Sequence, residues 1–138
     1  MTQSLPEYFR SRRDAIVDEI NELVSIETPS HDAAASTRII ELLERKFREA
    51  AESVSVERVK AKGVGEHLIA RMSADNGDGR TLILGHTDTV HPTGTIEQNA
   101  IRVENGKLYG PGVFDMKGNI PLVLEALRYL DGEKIERP

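Results

Sequence analysis

The sequence predicts an α/β fold, and three observations carry that expectation. Two stretches with helical periodicity open the chain, segments with strand periodicity follow, and one more helical stripe comes last. The order helix, helix, several strands, long loop, helix is that of a layered structure in which helices flank a largely parallel or mixed central sheet. A short continuous apolar run, Thr81-Leu-Ile-Leu84, reads as a strand of that sheet buried on both faces.

Each element has its own reason. Between Pro6 and about Ile26, the residues Phe9, Ile16, Ile20, Leu23 and Val24 recur at helical spacing. Pro6 suits a first turn and Pro29 lies just past the end, so Glu27-Thr-Pro-Ser30 reads as a loop. A second helix is expected from about Asp32 to Ala50, with Ile39, Leu42, Leu43 and Phe47 on one stripe. Ser30 or His31-Asp32 would start it. Val54, Val56 and Val59 predict a strand with a register change near Glu57-Arg58, and His67–Met72 a second strand. The Asn-Gly and Asp-Gly pairs of residues 74–79 predict a turn. Ile101–Val103 and Lys107–Tyr109 flank Glu104-Asn-Gly106 as a small hairpin. From Gly118 to about Leu130, the residues Ile120, Leu124, Leu127 and Leu130 restore a helical stripe.

The 138 residues suit one domain with a real hydrophobic core, and 38% hydrophobic with 30% charged residues is ordinary for a globular chain. With 18 basic against 23 acidic residues the net charge is -5, which weighs against nucleic acid as a partner. Without cysteine there is no disulfide, no thiolate nucleophile and no cysteine metal site, so any metal would be held by His, Asp and Glu. The first twenty residues lack the apolar core of a signal peptide, and no apolar run reaches spanning length. The expectation is a cytoplasmic chain with no membrane partner.

Two segments concentrate the chemistry at the ends of expected strands, where open α/β sheets bind ligands. In Gly85-His-Thr-Asp88, His86 and Asp88 are two apart and share a face of extended backbone. Asp88 could take the second N–H of the imidazole and leave the other nitrogen for a metal. The pair could equally be the base and orienting acid of a nucleophilic triad, although no Gly-x-Ser-x-Gly elbow is present. A plain strand-end hydrogen bond is the structural alternative. Asp115 follows Gly110-Pro-Gly112 and precedes Met116-Lys-Gly118. It reads either as an acid presented to a ligand by a glycine loop or as a helix cap. His91 reads as a loop residue facing solvent, with pocket lining as the alternative. His31 and His67 read as structural or surface residues, and Lys117 as a solvated lysine at a helix start.

Taken together, Leu84-Gly-His86-Thr-Asp88-Thr-Val90 and Tyr109-Gly-Pro-Gly-Val-Phe-Asp115-Met-Lys-Gly118 resemble the M20 family of metallopeptidases, which includes glutamate carboxypeptidases, aminoacylases and succinyl-diaminopimelate desuccinylases. Tyr109-Gly-Pro-Gly112 looks most like the glutamate carboxypeptidase branch, and Thr28-Pro-Ser30 resembles the family's first loop. The resemblance implies a zinc-peptidase-like layered fold, here truncated. Residues 1–138 would be the amino-terminal portion of a catalytic domain, with the rest of that domain and a dimerisation domain absent. It implies that His86 is a metal ligand, that Asp88 orients it in catalysis, that Asp115 bridges two ions, and that the Asp115–Met116 bond is cis. Two Zn²⁺ ions per active site, with Co²⁺ able to substitute, would serve amide hydrolysis of a small peptide or N-acyl amino acid. A Glu-Glu pair with the general base, a later acid and a final His lie beyond Pro138 in that pattern, and neither Glu133 nor Glu136 sits in such a pair. The chain alone is therefore expected to bind zinc poorly, to be inactive and to self-associate, while its parent is a homodimer. A deacetylase or desuccinylase, or a catalytically silent metal-binding or interaction domain, are the alternatives.

Overall fold

The computed structural model describes residues 3–73 and 80–132. The turn expected at residues 74–79, and Glu133 and Glu136, lie outside the described residues.

Helix α1 spans Leu5–Ser11 and starts at Ser4, whose N–H and hydroxyl both donate to Glu7 Oε2 at 3.1 and 2.6 Å. The expected single helix is in fact two, because the chain breaks at Arg12 before α2, Arg13–Ser25. At the break Arg12 Nε donates to Glu125 Oε1 at 2.7 Å, next to the Tyr8 hydroxyl, which donates to the same oxygen at 2.6 Å. Helix α3, Ala33–Ala50, is capped by Asp32, whose carboxylate accepts from Ala35 N at 2.8 Å. Leu23 of α2 meets Ile39, Ile40 and Leu43 of α3 in one core cluster. Ile16, Ile20 and Val24 form a second, against Phe9, Ile101, Leu108 and Val113. Helix α5, Ile120–Gly132, follows a 3-10 turn at Lys117–Asn119 and buries Leu124 between α2 and α3.

Strands β1, Val54–Lys60, and β2, Glu66–Met72, pair antiparallel from Val54 opposite Met72 to Lys60 opposite Glu66, and pack on α3. The register is unbroken, so the change expected near Arg58 does not occur. Arg58 holds the helix-facing position, bound to Glu66 and beside Glu44, while Val59 turns outward. Neighbouring carboxylates let an arginine occupy a site that the valine pattern alone assigned to an apolar side chain. After a four-residue helix α4, Thr95–Gln98, come β3, Arg102–Glu104, and β4, Lys107–Tyr109, as the expected hairpin. Asn105 and Gly106 turn it with φ of 52° and 73°, the left-handed pair that short hairpin loops require.

The class is α/β, as expected, with helices and, among the described residues, two small antiparallel sheets. The strand expected at Thr81–Leu84 is not formed. Leu82, Ile83 and Leu84 are 80%, 64% and 78% exposed, and among the described residues no strand pairs with them. An apolar run becomes a buried strand only where neighbours take its amides and layers cover its faces, and the described residues supply neither. Among the described residues, parallel pairing is confined to one bridge, Pro29 with Thr89.

Candidate functional site

Segment 26–30, between α2 and α3, is where the site is assembled. Thr28 is buried; its hydroxyl donates to Thr87 O at 2.5 Å and its carbonyl accepts from Thr89 N at 2.8 Å. Ser30 Oγ donates to Thr89 O at 3.3 Å. The Glu27 carboxylate accepts from Gly94 N at 2.7 Å and Ile96 N at 3.0 Å, at the start of α4. Those backbone N–H groups, Gly94's first, hold its carboxyl below the usual range. The backbone on both sides of His86 and Asp88 is thus tied to a short loop anchored between two core helices.

The second loop approaches from the other side. Gly112 has φ +75°, and a Cβ there would stand 2.6 Å from Thr89 Cγ2, so only glycine permits this closeness to the first loop. Lys117 N donates to Gly112 O and Gly118 N to Val113 O, both at 2.9 Å, and the Asp115–Met116 bond is cis, as the resemblance implies. The cap position before the 3-10 turn belongs to Met116, so the helix-cap reading of Asp115 fails, and its carboxylate turns to His86 instead.

His86 lies between the two acids. Its Nδ1 stands 3.0 Å from Asp88 O and 3.4 Å from Asp88 Oδ1, and its Nε2 stands 3.0 Å from Asp115 Oδ1. The partner nearer to Nδ1 is therefore a main-chain carbonyl, with the Asp88 carboxylate just beyond it. A carbonyl only accepts, so Nδ1 carries the proton. Nε2 then faces a carboxylate, which accepts only, and two lone pairs meet unless a cation lies between them. With no metal that cation is a second proton. Burial alone would push His86 down, but the hydrogen bonds to Asp88 O and Asp115 outweigh it and raise its pKa.

These atoms border a cavity of about 220 Å³ lined by Ser30, His86, Asp88, Thr89, His91 and Asp115, among others. His91 thus stands on the cavity wall, contrary to the solvent-facing expectation, because the Thr28–Thr89 pairing brings the loop after Asp88 beside the site. His31 and His67 lie at the surface. Lys117 is the largest departure from expectation: it is 1% exposed rather than solvated, and Nζ donates to Ile26 O at 2.6 Å. Burial pushes its ammonium down to about 8, against the pull of Glu27 and Asp88. No sequence signal marks this, since the acceptor is a main-chain atom 91 residues away.

The donor set suits part of a metal site. Two ligand atoms each about 2.0–2.1 Å from a tetrahedral ion lie roughly 3.3 Å apart, near the 3.0 Å between His86 Nε2 and Asp115 Oδ1. Among the described residues no group of three or more His, Asp or Glu side chains is arranged to hold a metal, so further ligands would have to come from elsewhere. No helix among them is long and apolar enough to cross a membrane.

Comparison with known proteins agrees with this geometry. The family model for Peptidase family M20/M25/M40 matches residues 82–138, which include both loops. Carboxypeptidase G2 of Pseudomonas sp. (strain RS-16) is 29% identical over 116 residues, covering 84% of this chain and 28% of the relative. Acetylornithine deacetylase of Vibrio atlanticus (strain LGP32) is 32% identical over 119 residues, covering 83% of this chain and 30% of the relative. The chain thus spans less than a third of the length of either relative. With the imidazole of the first loop and the acid of the second facing each other at the site, the chain is similar to the M20/M25/M40 peptidase family over the residues that build that site.

Proposed function

We propose that this chain supplies His86, Asp88 and Asp115 to a two-zinc hydrolase that cleaves the amide bond of a small peptide or N-acyl amino acid. The observation that carries this reading is the lone-pair conflict between His86 Nε2 and Asp115 Oδ1, 3.0 Å apart, which a shared cation relieves. His86, protonated at Nδ1 by its hydrogen bond to Asp88, would present Nε2 to one ion. Asp115, with its side chain 78% exposed, has oxygens free for two ions. Zinc bound there would polarise the scissile carbonyl and make bound water nucleophilic near neutral pH. The chain's own part is to hold the imidazole tautomer, to place the bridging acid, and to wall the cavity with Ser30, Thr89 and His91. The remaining ligands and the general base would come from residues other than these.

One relative is a carboxypeptidase and the other a deacetylase. The Tyr109-Gly-Pro-Gly112 motif favours the peptidase reading, and the 32% identity to the deacetylase keeps removal of an acyl group from an amino acid as the second. We place the whole protein in the cytoplasm as a homodimer, and residues 1–138 alone as weak zinc binders without turnover. Chelation of the whole protein should abolish hydrolysis of N-acyl amino acids and short peptides, and added Zn²⁺ or Co²⁺ should restore it. Full activity in a dialysed sample shown to be metal-free would overturn the proposal, and the preferred substrate class separates its two forms.

A further inference from the structure

Lys117 is among the largest fully buried side chains, yet among the described residues it forms no ion pair, and its ammonium reaches a main-chain carbonyl. Such a group adds little to stability, since leaving water costs a charged head more than one carbonyl returns. What it imposes is geometry. Lys117 lies two residues after Asp115, and its acceptor, Ile26 O, adjoins the segment that binds Thr87 and Thr89 on either side of Asp88. Glu27 in that segment also ties down Gly94 and Ile96. One unbroken series of short contacts thus runs from the acid-bearing loop through Lys117 and segment 26–30 to the loop of His86.

We propose that Lys117 is a positioning residue that, through Ile26 O, sets the separation between His86 and Asp115. Its effect on metal binding rests on the two-zinc reading, whereas its effect on geometry does not. In the whole protein, Lys117→Met keeps the methylene stem and removes the donor. Zinc affinity, titrated with zinc alone, should fall about 10–100-fold, the range for residues that orient ligands. In crystals of the metal-free variant, the distance from His86 Nε2 to Asp115 Oδ1 should open beyond hydrogen-bond reach. Thr28→Val removes the hydroxyl bond to Thr87 O further along the series and should weaken zinc binding in the same direction. It carries the test if Lys117→Met does not fold. Glu125→Gln, in a buried cluster away from both loops, is the control for a structural effect: it should lower thermal stability and leave zinc affinity unchanged. Wild-type zinc affinity in Lys117→Met, or a loss that Glu125→Gln reproduces at equal loss of stability, would overturn the proposal. Should the wild type bind no zinc, the two-zinc reading fails, and an unchanged His86–Asp115 distance in metal-free Lys117→Met would still refute the positioning role.

Discussion

Glu125 and Asp115 are both carboxylates, five residues either side of Ile120, and the fold treats them in opposite ways. Glu125 is fully buried and accepts from the Tyr8 hydroxyl at 2.6 Å, Arg12 Nε at 2.7 Å and Arg128 Nη1 at 2.9 Å. Arg128 also grips Glu19, and Lys46 lies between Glu19 and Glu22 at 3.3 and 2.7 Å. Here the protein neutralises its own acids. Asp115 is exposed and Asp88 half-buried, and among the described residues their ion-pair contacts are with His86, not with lysine or arginine. A closed network of charges holds helices together, whereas the acids gathered around one imidazole leave room for the cation proposed above. The family resemblance points to the same residues, but this charge difference is visible without it.

The comparison can be broken at either end. The largest effect is expected at the open site: Asp115→Ala in the whole protein should lower turnover by more than about 100-fold, since a bridging ligand serves both ions. Its urea midpoint should hardly move, because the side chain is 78% exposed. Steady-state kinetics beside urea melts would check both, and a shifted midpoint with retained turnover would reverse the assignment. At the closed network, Glu125→Ala should cost about 1–3 kcal/mol, because it takes the shared acceptor from the Tyr8 hydroxyl and Arg12, while Arg128 keeps Glu19. Turnover per folded molecule should stay near wild type. Gly112→Ala should cost about 1–3 kcal/mol through its left-handed φ and the meeting with Thr89, and should lower zinc affinity as the loops part. Calorimetry gives the first quantity and zinc titration the second.

The smallest effect is a matter of pH. Burial alone would raise the Glu125 carboxyl, but hydrogen bonds from Arg12, Tyr8 and Arg128 outweigh it and hold it below its usual 4.5. Its contribution to stability is therefore complete above about pH 4.5 and is lost as pH falls through the lower folded value. Tyr8, pushed up to about 12 by burial and by Glu125, works in the other direction. Its contribution is present below about pH 10 and is lost as pH rises toward 12. Glu125→Gln should flatten the acid limb of a plot of unfolding free energy against pH. An unchanged limb would show that other acids set it.

What the sequence made legible was local. Asp32 as a cap, Asn105-Gly106 as a hairpin turn and the stripe of α3 each depend on neighbours within a few residues. The break at Arg12 was hidden because helical periodicity runs through it, and the carboxylate that Arg12 meets there, Glu125, is far along the chain. The run Thr81–Leu84 was misread because burial of a strand depends on its partners rather than its composition. At the site, His86, Asp88 and Asp115 could be picked out by residue type and resemblance. Lys117 could not be read as buried, since its acceptor, Ile26 O, is a main-chain atom and leaves no mark on the sequence.

Segment 26–30 also has a kinetic consequence. Thr89 N is bonded to Thr28 O, while Gly94 N and Ile96 N are bonded to the Glu27 carboxylate. Three amides on one loop are thus protected by two adjacent residues of another, and freeing any of them means lifting the same short segment from its place between α2 and α3. Hydrogen exchange proceeds through such shared openings. The amides of Thr89, Gly94 and Ile96 should therefore exchange together, with one apparent opening free energy. The amides of the short, largely exposed hairpin at Arg102–Tyr109 should exchange sooner, so the wall of the cavity opens and closes as one body while its neighbour frays.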